Sequence, residues 1–296
     1  MIGDNHHYGH DQILRDHSNL KLPWPIPARL QHGWMPGLGM AERLLAEPWP
    51  KLVWTRRNLT QCWERGHRDV VPIGAPFVYL PPARTSEIQS RGPRSLLVYP
   101  FHGWEKGGVH GDMKAYADAL TDLEKEGFGP ITVCLYWIEY EDPGLRAIFN
   151  ERGWRVITNG HRDKNPTFLH RQRASMLEHA YVTSNRVCTA AFYAPMAGRR
   201  FFLYGPTMGL SATADPTGVE YDAWQRKQVP ELTFEAFGDR LYQDIGRREL
   251  GADYKLEPAV MRELFGWHPR GMAKISASRF KRELWKIRPL RPFMSA

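Results

Sequence analysis

Beyond residue 90, short apolar runs alternate with longer segments of mixed polarity. The runs at 95–99, 131–136, 154–158, 181–183 and 200–204 are bounded by turn formers, the pattern of strands buried on both faces. The segments between them repeat their apolar residues with a helical period. Residues 112–126 place Met113, Tyr116, Ala117, Leu120 and Leu123 on one face, and residues 143–152 open behind Asp142 as an N-cap. Residues 166–179 carry a proline near the first turn, and residues 187–197 stop at Gly198. Strands separated by helices in this way predict a parallel sheet covered on both faces, a Rossmann-like domain.

The first ninety residues are less regular. One strand ends at Leu30 and Gln31, a second covers 51–55, a helix 58–65 and a third strand 70–74, where Pro72 marks an edge or a strand end. Residues 81–93 are polar and rich in turn formers, which reads as a linker. Beyond Pro206 the pattern turns helical, at 222–227, 234–250 and 257–264. The expected class is α/β, with two Rossmann-like halves. A small half spans 1–82, a larger one 94–206, and a helical segment with a basic tail fills 207–296. No internal repeat is present.

Composition narrows the class. With 42% hydrophobic and 24% charged residues the chain has the makings of a folded core and is not disordered. It has no apolar run of membrane-spanning length and no secretion signal at its start. Cys62, Cys134 and Cys188 are far apart and odd in number, which argues against a disulfide framework and fits a reducing cytoplasm. The net charge of +8 invites a polyanion partner until its distribution is counted. From Gly271 onward seven basic residues stand against the single acid Glu283, so the tail holds +6 and the body is nearly neutral. Phe280, Leu284, Trp285 and Ile287 interleave with those charges near a helical spacing. Two readings stay open for residues 274–291. Either a basic amphipathic helix rests on anionic lipid at the inner face of the cytoplasmic membrane, or it packs on the body and solvates its charges. No basic stripe crosses the body, so nucleic acid is not an expected partner.

In open α/β sheets ligands bind beyond the carboxyl ends of the strands, where four constellations of this chain fall. His32 follows the first strand and opens a stretch with Gly33, Gly37 and Gly39; its imidazole could take a proton from a hydroxyl, or simply cap a turn. The loop after 95–99 holds His102, Lys106 and His110 among Gly103, Gly107, Gly108 and Gly111, which suits a phosphate cradle or an ordinary surface loop. Two histidines with no third ligand fixed by spacing do not specify a metal site. Asn159, Gly160 and His161 lie between a strand and a helix. So do Ser184, Asn185 and Thr189, which suit either a diphosphate at a helix start or plain N-capping. A fifth cluster at the N-terminus, with His7, His10 and Asp11, could join an acceptor site or a metal site, or be a polar end segment. Asp-x-Asp, Walker A, Gly-x-Ser-x-Gly and kinase motifs are absent.

The stretch from Leu96-Leu97-Val98-Tyr99 to Leu203-Tyr204-Gly205-Pro206, above all Tyr181-Val182-Thr183-Ser184-Asn185-Arg186-Val187-Cys188-Thr189, resembles the C-terminal half of GT-B-type glycosyltransferases. The likeness is nearest to bacterial capsular and cell-surface polysaccharide enzymes and to CDP-glycerol glycerophosphotransferase-like proteins. His32-Gly33 is similar to the His-Gly motif of the latter, and the His-Pro usual after the second strand is replaced here by Leu135-Tyr136-Trp137. The resemblance implies a GT-B-like transferase with a nucleotide-sugar or CDP-linked donor and a glycan or glycolipid acceptor. It implies His32 as general base, His102, His110, Ser184, Asn185 and Thr189 at the donor phosphates, and Asn159, Gly160 and His161 at base and ribose. His7, His10 and Asp11 then lie on the acceptor side. No metal and no further cofactor is needed. A sugar-nucleotide epimerase or hydrolase of the same fold, or a non-catalytic binding module, is the alternative.

Overall fold

The computed structural model describes residues 4–105, 107–210 and 218–267. The chain divides into two compact units, one of residues up to Pro81 joined by those from Arg248 onward, the other of Pro82–Arg247. The first break falls where the linker was read. In this division the residues between Pro206 and Arg247 fall in the second unit and those from Arg248 onward in the first.

The first unit opens with α1 (His10–His17), then β1 (Arg29–Leu30), α2 (Glu42–Leu45), β2 (Lys51–Val53), α3 (Arg56–Glu64) and β3 (Val70–Pro72). Its strands form one parallel sheet in the order β1-β2-β3, so Pro72 sits on an edge strand that needs no further donor. Thr55 caps α3 by accepting from the Asn58 N–H at 3.2 Å, and Leu59 and Cys62 bury against Met40, Leu45, Val53 and Val70.

The second unit runs β4 (Leu96–Val98), β5 (Val109–His110), α4 (Met113–Lys125), β6 (Ile131–Cys134), α5 (Trp137–Glu141), α6 (Pro143–Asn150), β7 (Arg155–Ile157), α7 (Phe168–Leu177), β8 (Tyr181–Ser184), α8 (Ala190–Met196), β9 (Arg200–Leu203), β10 (Gly209–Leu210) and α9 (Gly218–Gln228). Five strands form a parallel sheet in the order β7-β6-β4-β8-β9, and β5 pairs with β10 in a separate antiparallel ribbon. The predicted face of α4 is buried in full, and the predicted cap is made: Asp142 accepts from two backbone N–H groups of α6, and Asp112 does the same for α4. Helix α10 (Gln243–Glu249) runs across the division at Arg247, and α11 (Pro258–Phe265) belongs to the first unit, where it buries Met261, Leu264 and Phe265.

Both units are thus α/β with parallel sheets, the first smaller, as expected from the sequence. Several elements differ, among them α1 and α2, which the sequence pattern did not show. The helix expected over 234–250 forms only from Gln243, because Gly238 and Asp239 both take left-handed backbone angles while Phe234 and Phe237 pack on Phe202. Helix α5 and the β5–β10 ribbon were not expected. Among the described residues no helix is long and apolar enough to cross a membrane, and the basic stretch 274–291 lies outside the described residues.

Candidate functional site

In the second unit the chain leaves β4 for β6 on one side and reaches β8 on the other, so the order of the sheet reverses between β4 and β8. The carboxyl ends of these neighbours form the crevice where doubly wound sheets bind ligands. Tyr99, Phe101 and His102 follow β4; Ser184, Asn185 and Arg186 close and follow β8. Burial there pushes the Tyr99 phenol well above its ordinary range, and the nearby Cys134 thiol up to about 12.

Asn185 is fully buried and its side chain is committed to the protein. Its Oδ1 accepts the Phe101 N–H at 2.8 Å, its Nδ2 donates to the Pro206 carbonyl at 2.9 Å, and Arg226 donates to its backbone oxygen at 2.6 Å. Ser184 is buried as well, with Oγ accepting the Arg186 N–H at 3.3 Å. Neither residue caps α8, which begins only at Ala190; Thr189 holds the N-cap position, and its side chain makes no capping bond. The sequence suggested phosphate ligands or caps, whereas the fold uses Ser184 and Asn185 to fasten the strand ends.

His102 is exposed and stacks on Tyr136 at 4.3 Å between ring centroids. Its Nδ1 lies 2.6 Å from the Gly103 carbonyl, which can only accept, so Nδ1 is the donor of this hydrogen bond. His110 is exposed and paired in the ribbon, opposite Gly209. The glycine loop was read as a phosphate cradle or an ordinary surface loop. At its end Asp112 caps α4, accepting from the Lys114 and Ala115 N–H groups.

At the end of β7, Asn159 is buried and its carbonyl accepts from Asn165 at 2.6 Å. His161 accepts the Asp163 N–H through Nδ1 at 3.0 Å and stacks on Trp137 at 4.2 Å. His102 and His161 therefore rest on two adjacent aromatic residues at the start of α5, Tyr136 and Trp137. The sequence marked those rings only as the replacement of a His-Pro motif, and gave them no role at the site. Arg186 was missed as well. Its guanidinium lies 4.4 Å over the Phe101 ring and 3.7 Å from Asp222, both charged side chains being buried.

In the first unit the structure brings three of the four candidates together. The His32 ring, just past β1, lies 4.9 Å from that of His7 and 5.7 Å from that of His10. Asp11 is apart from them in role, paired with Arg15 at 2.8 Å. Of the glycines after His32, Gly39 is one that packing requires. Gln31 and Asn58 pin this loop by hydrogen bonds to Gly33, Met35 and Gly37, and a Cβ at Gly39 would stand 2.6 Å from Gln31 Oε1.

His10 is completely buried, with no hydrogen-bond partner on either ring nitrogen among the described residues. Burial first, then the charges of His32 and His7, hold its pKa well below 6.5. A histidine depressed in the folded state contributes stability above its unfolded pKa of about 6.5 and loses it as pH falls below that value. His10→Phe is expected to flatten the fall in melting temperature between pH 7 and pH 5, read by circular dichroism. An unchanged pH profile would show that His10 ionises freely in the folded protein.

No family model matches this sequence, and no curated protein matches it. Among solved structures the chain is similar to an S. aureus MnaA-UDP co-structure, at 12% identity and a TM-score of 0.43 over 77% of this chain and 63% of that one. It is also similar to a putative UDP-N-acetylglucosamine 2-epimerase from Listeria monocytogenes, at 10% identity and a TM-score of 0.39 over 69% and 56%. The chain spans less than two thirds of the length of either, and both are likenesses of fold.

Proposed function

We propose that this chain is an enzyme acting on a nucleotide-linked sugar, with the nucleotide held by the second unit in a GT-B-like manner. The reading is carried by the reversal of strand order between β4 and β8, which gathers the candidate residues at one end of one sheet. His102 and Thr189 are the side chains assigned to the phosphates, with His110 at the rim. Ser184 and Asn185 shape the crevice from behind, and Asn159, Gly160 and His161 lie toward the base.

The chemistry then depends on the acceptor. Without one, the enzyme rearranges or hydrolyses the sugar nucleotide. With a glycan or glycolipid hydroxyl, His32 removes the hydroxyl proton, the oxygen attacks the anomeric carbon, and the bond to the diphosphate breaks. The pinned loop at His32 supports a base of fixed position in the second case.

A panel of uridine, cytidine, guanosine and adenosine diphosphates in a thermal-shift assay tests the reading. One nucleotide is expected to raise the melting temperature in a saturable way. Incubating its sugar conjugates with and without glycan acceptors, for wild type and His32→Ala, then separates the reactions. Product only with acceptor, and a loss of about 100-fold or more in His32→Ala, would establish transfer. Product without acceptor would establish epimerisation or hydrolysis, and silence toward all four nucleotides would sink the proposal.

A further inference from the structure

Glu139 lies in α5, directly beyond β6, the second strand of its unit in chain order. It is 7% exposed. Its Oε1 accepts the Gly103 N–H at 2.7 Å, which ties it to the glycine loop after the first strand of the unit, β4. Its Oε2 has no hydrogen-bond partner among the described residues. A buried carboxylate oxygen without a donor is costly, so its retention calls for a partner. The aromatic rings that carry His102 and His161 precede it by two and three residues.

In parallel sheets of this strand order, the backbone of the loop after the first strand approaches a nucleotide closely, and an acid beyond the second strand accepts from the ribose hydroxyls. Here the two elements are joined by a hydrogen bond, and the acid keeps one oxygen unused. We propose that Glu139 is the ribose-reading residue of the second unit, its Oε2 accepting a hydrogen bond from the 2′- or 3′-hydroxyl of the bound nucleotide. The assignment rests on the reading of this unit as a nucleotide site, and adds to it a residue and a ligand group.

Glu139→Gln discriminates sharply, because its amide oxygen can still accept the Gly103 N–H while the other position becomes a donor. Calorimetric titration of the full chain with uridine and cytidine diphosphates and their 2′,3′-dideoxy counterparts provides the test. Wild type is expected to bind a ribonucleotide at least tenfold more tightly than its dideoxy form, and Glu139→Gln to bind both as weakly as wild type binds the dideoxy form. A wild type indifferent to the hydroxyls, or a variant that keeps the preference, overturns the assignment while leaving the nucleotide site standing. If no diphosphate binds wild type, the nucleotide reading and the assignment fall together.

Discussion

Gly251→Ala is expected to destabilise the protein by about 4 kcal/mol or more, the range of mutations that strain a special backbone site. Gly251 has φ +62, and a Cβ there would overlap the backbone oxygen of Trp54, with the Gly74 Cα also 3.3 Å away. None of these neighbours is a flexible side-chain end. Trp54 is 1% exposed and held by Gln31, whose Oε1 accepts its N–H at 2.9 Å while its indole donates to the Gln31 carbonyl at 3.2 Å. The turn itself is tied down by the Ala75 N–H, which donates to the Leu250 carbonyl at 2.8 Å. Relief would have to break these bonds where the returning chain meets the ends of β2 and β3. Gly66→Ala is the control: φ is +86 but nothing lies within 4 Å, so only the backbone preference of about 1 kcal/mol is lost. Thermal melts should separate the two by about 6–12 °C. Equal melts would mean that the turn moves aside without cost.

The returning segment shows why part of the fold was legible and part was not. Strands β6, β8 and β9 were readable because continuous apolar runs have few other uses, and the cap at Asp142 announces itself by residue type. Helix α1 was not, because its sequence is mostly polar and it buries His10 and Arg15 beside Ile13 and Leu14. At 234–242 the spacing of Phe234, Phe237 and Leu241 imitates a helix, and only the left-handed pair Gly238-Asp239 undoes it. The candidate site divides in the same way. Strand ends point to where ligands gather, so the positions of His102, His161 and Asn185 were within reach. What each side chain does there depends on partners remote in sequence, such as Gly103 for Glu139, 36 residues away. Tyr136 and Trp137 stood out only as the replacement of a family motif, although they carry the two histidine rings.

Asn185 makes that ambiguity measurable. As a phosphate ligand, its loss would weaken nucleotide binding and leave stability nearly untouched. As a brace between β4, β8 and the end of β9, its loss strands a buried N–H at Phe101 and a carbonyl at Pro206. Each unsatisfied group costs about 1–3 kcal/mol, so Asn185→Ala should lose about 2–6 kcal/mol. Asn185→Asp keeps the acceptor for Phe101 but turns an anionic oxygen toward the Pro206 carbonyl, and should be no better tolerated. Urea unfolding monitored at several wavelengths reads both variants, with midpoints expected to fall while the m-value holds. The Arg226 bond to the Asn185 backbone survives both changes, so the loss reports the side-chain amide alone. Variants with wild-type midpoints and lost nucleotide binding would return Asn185 to the ligand. Lowered midpoints would show that the crevice owes its shape to an amide that no ligand needs to touch.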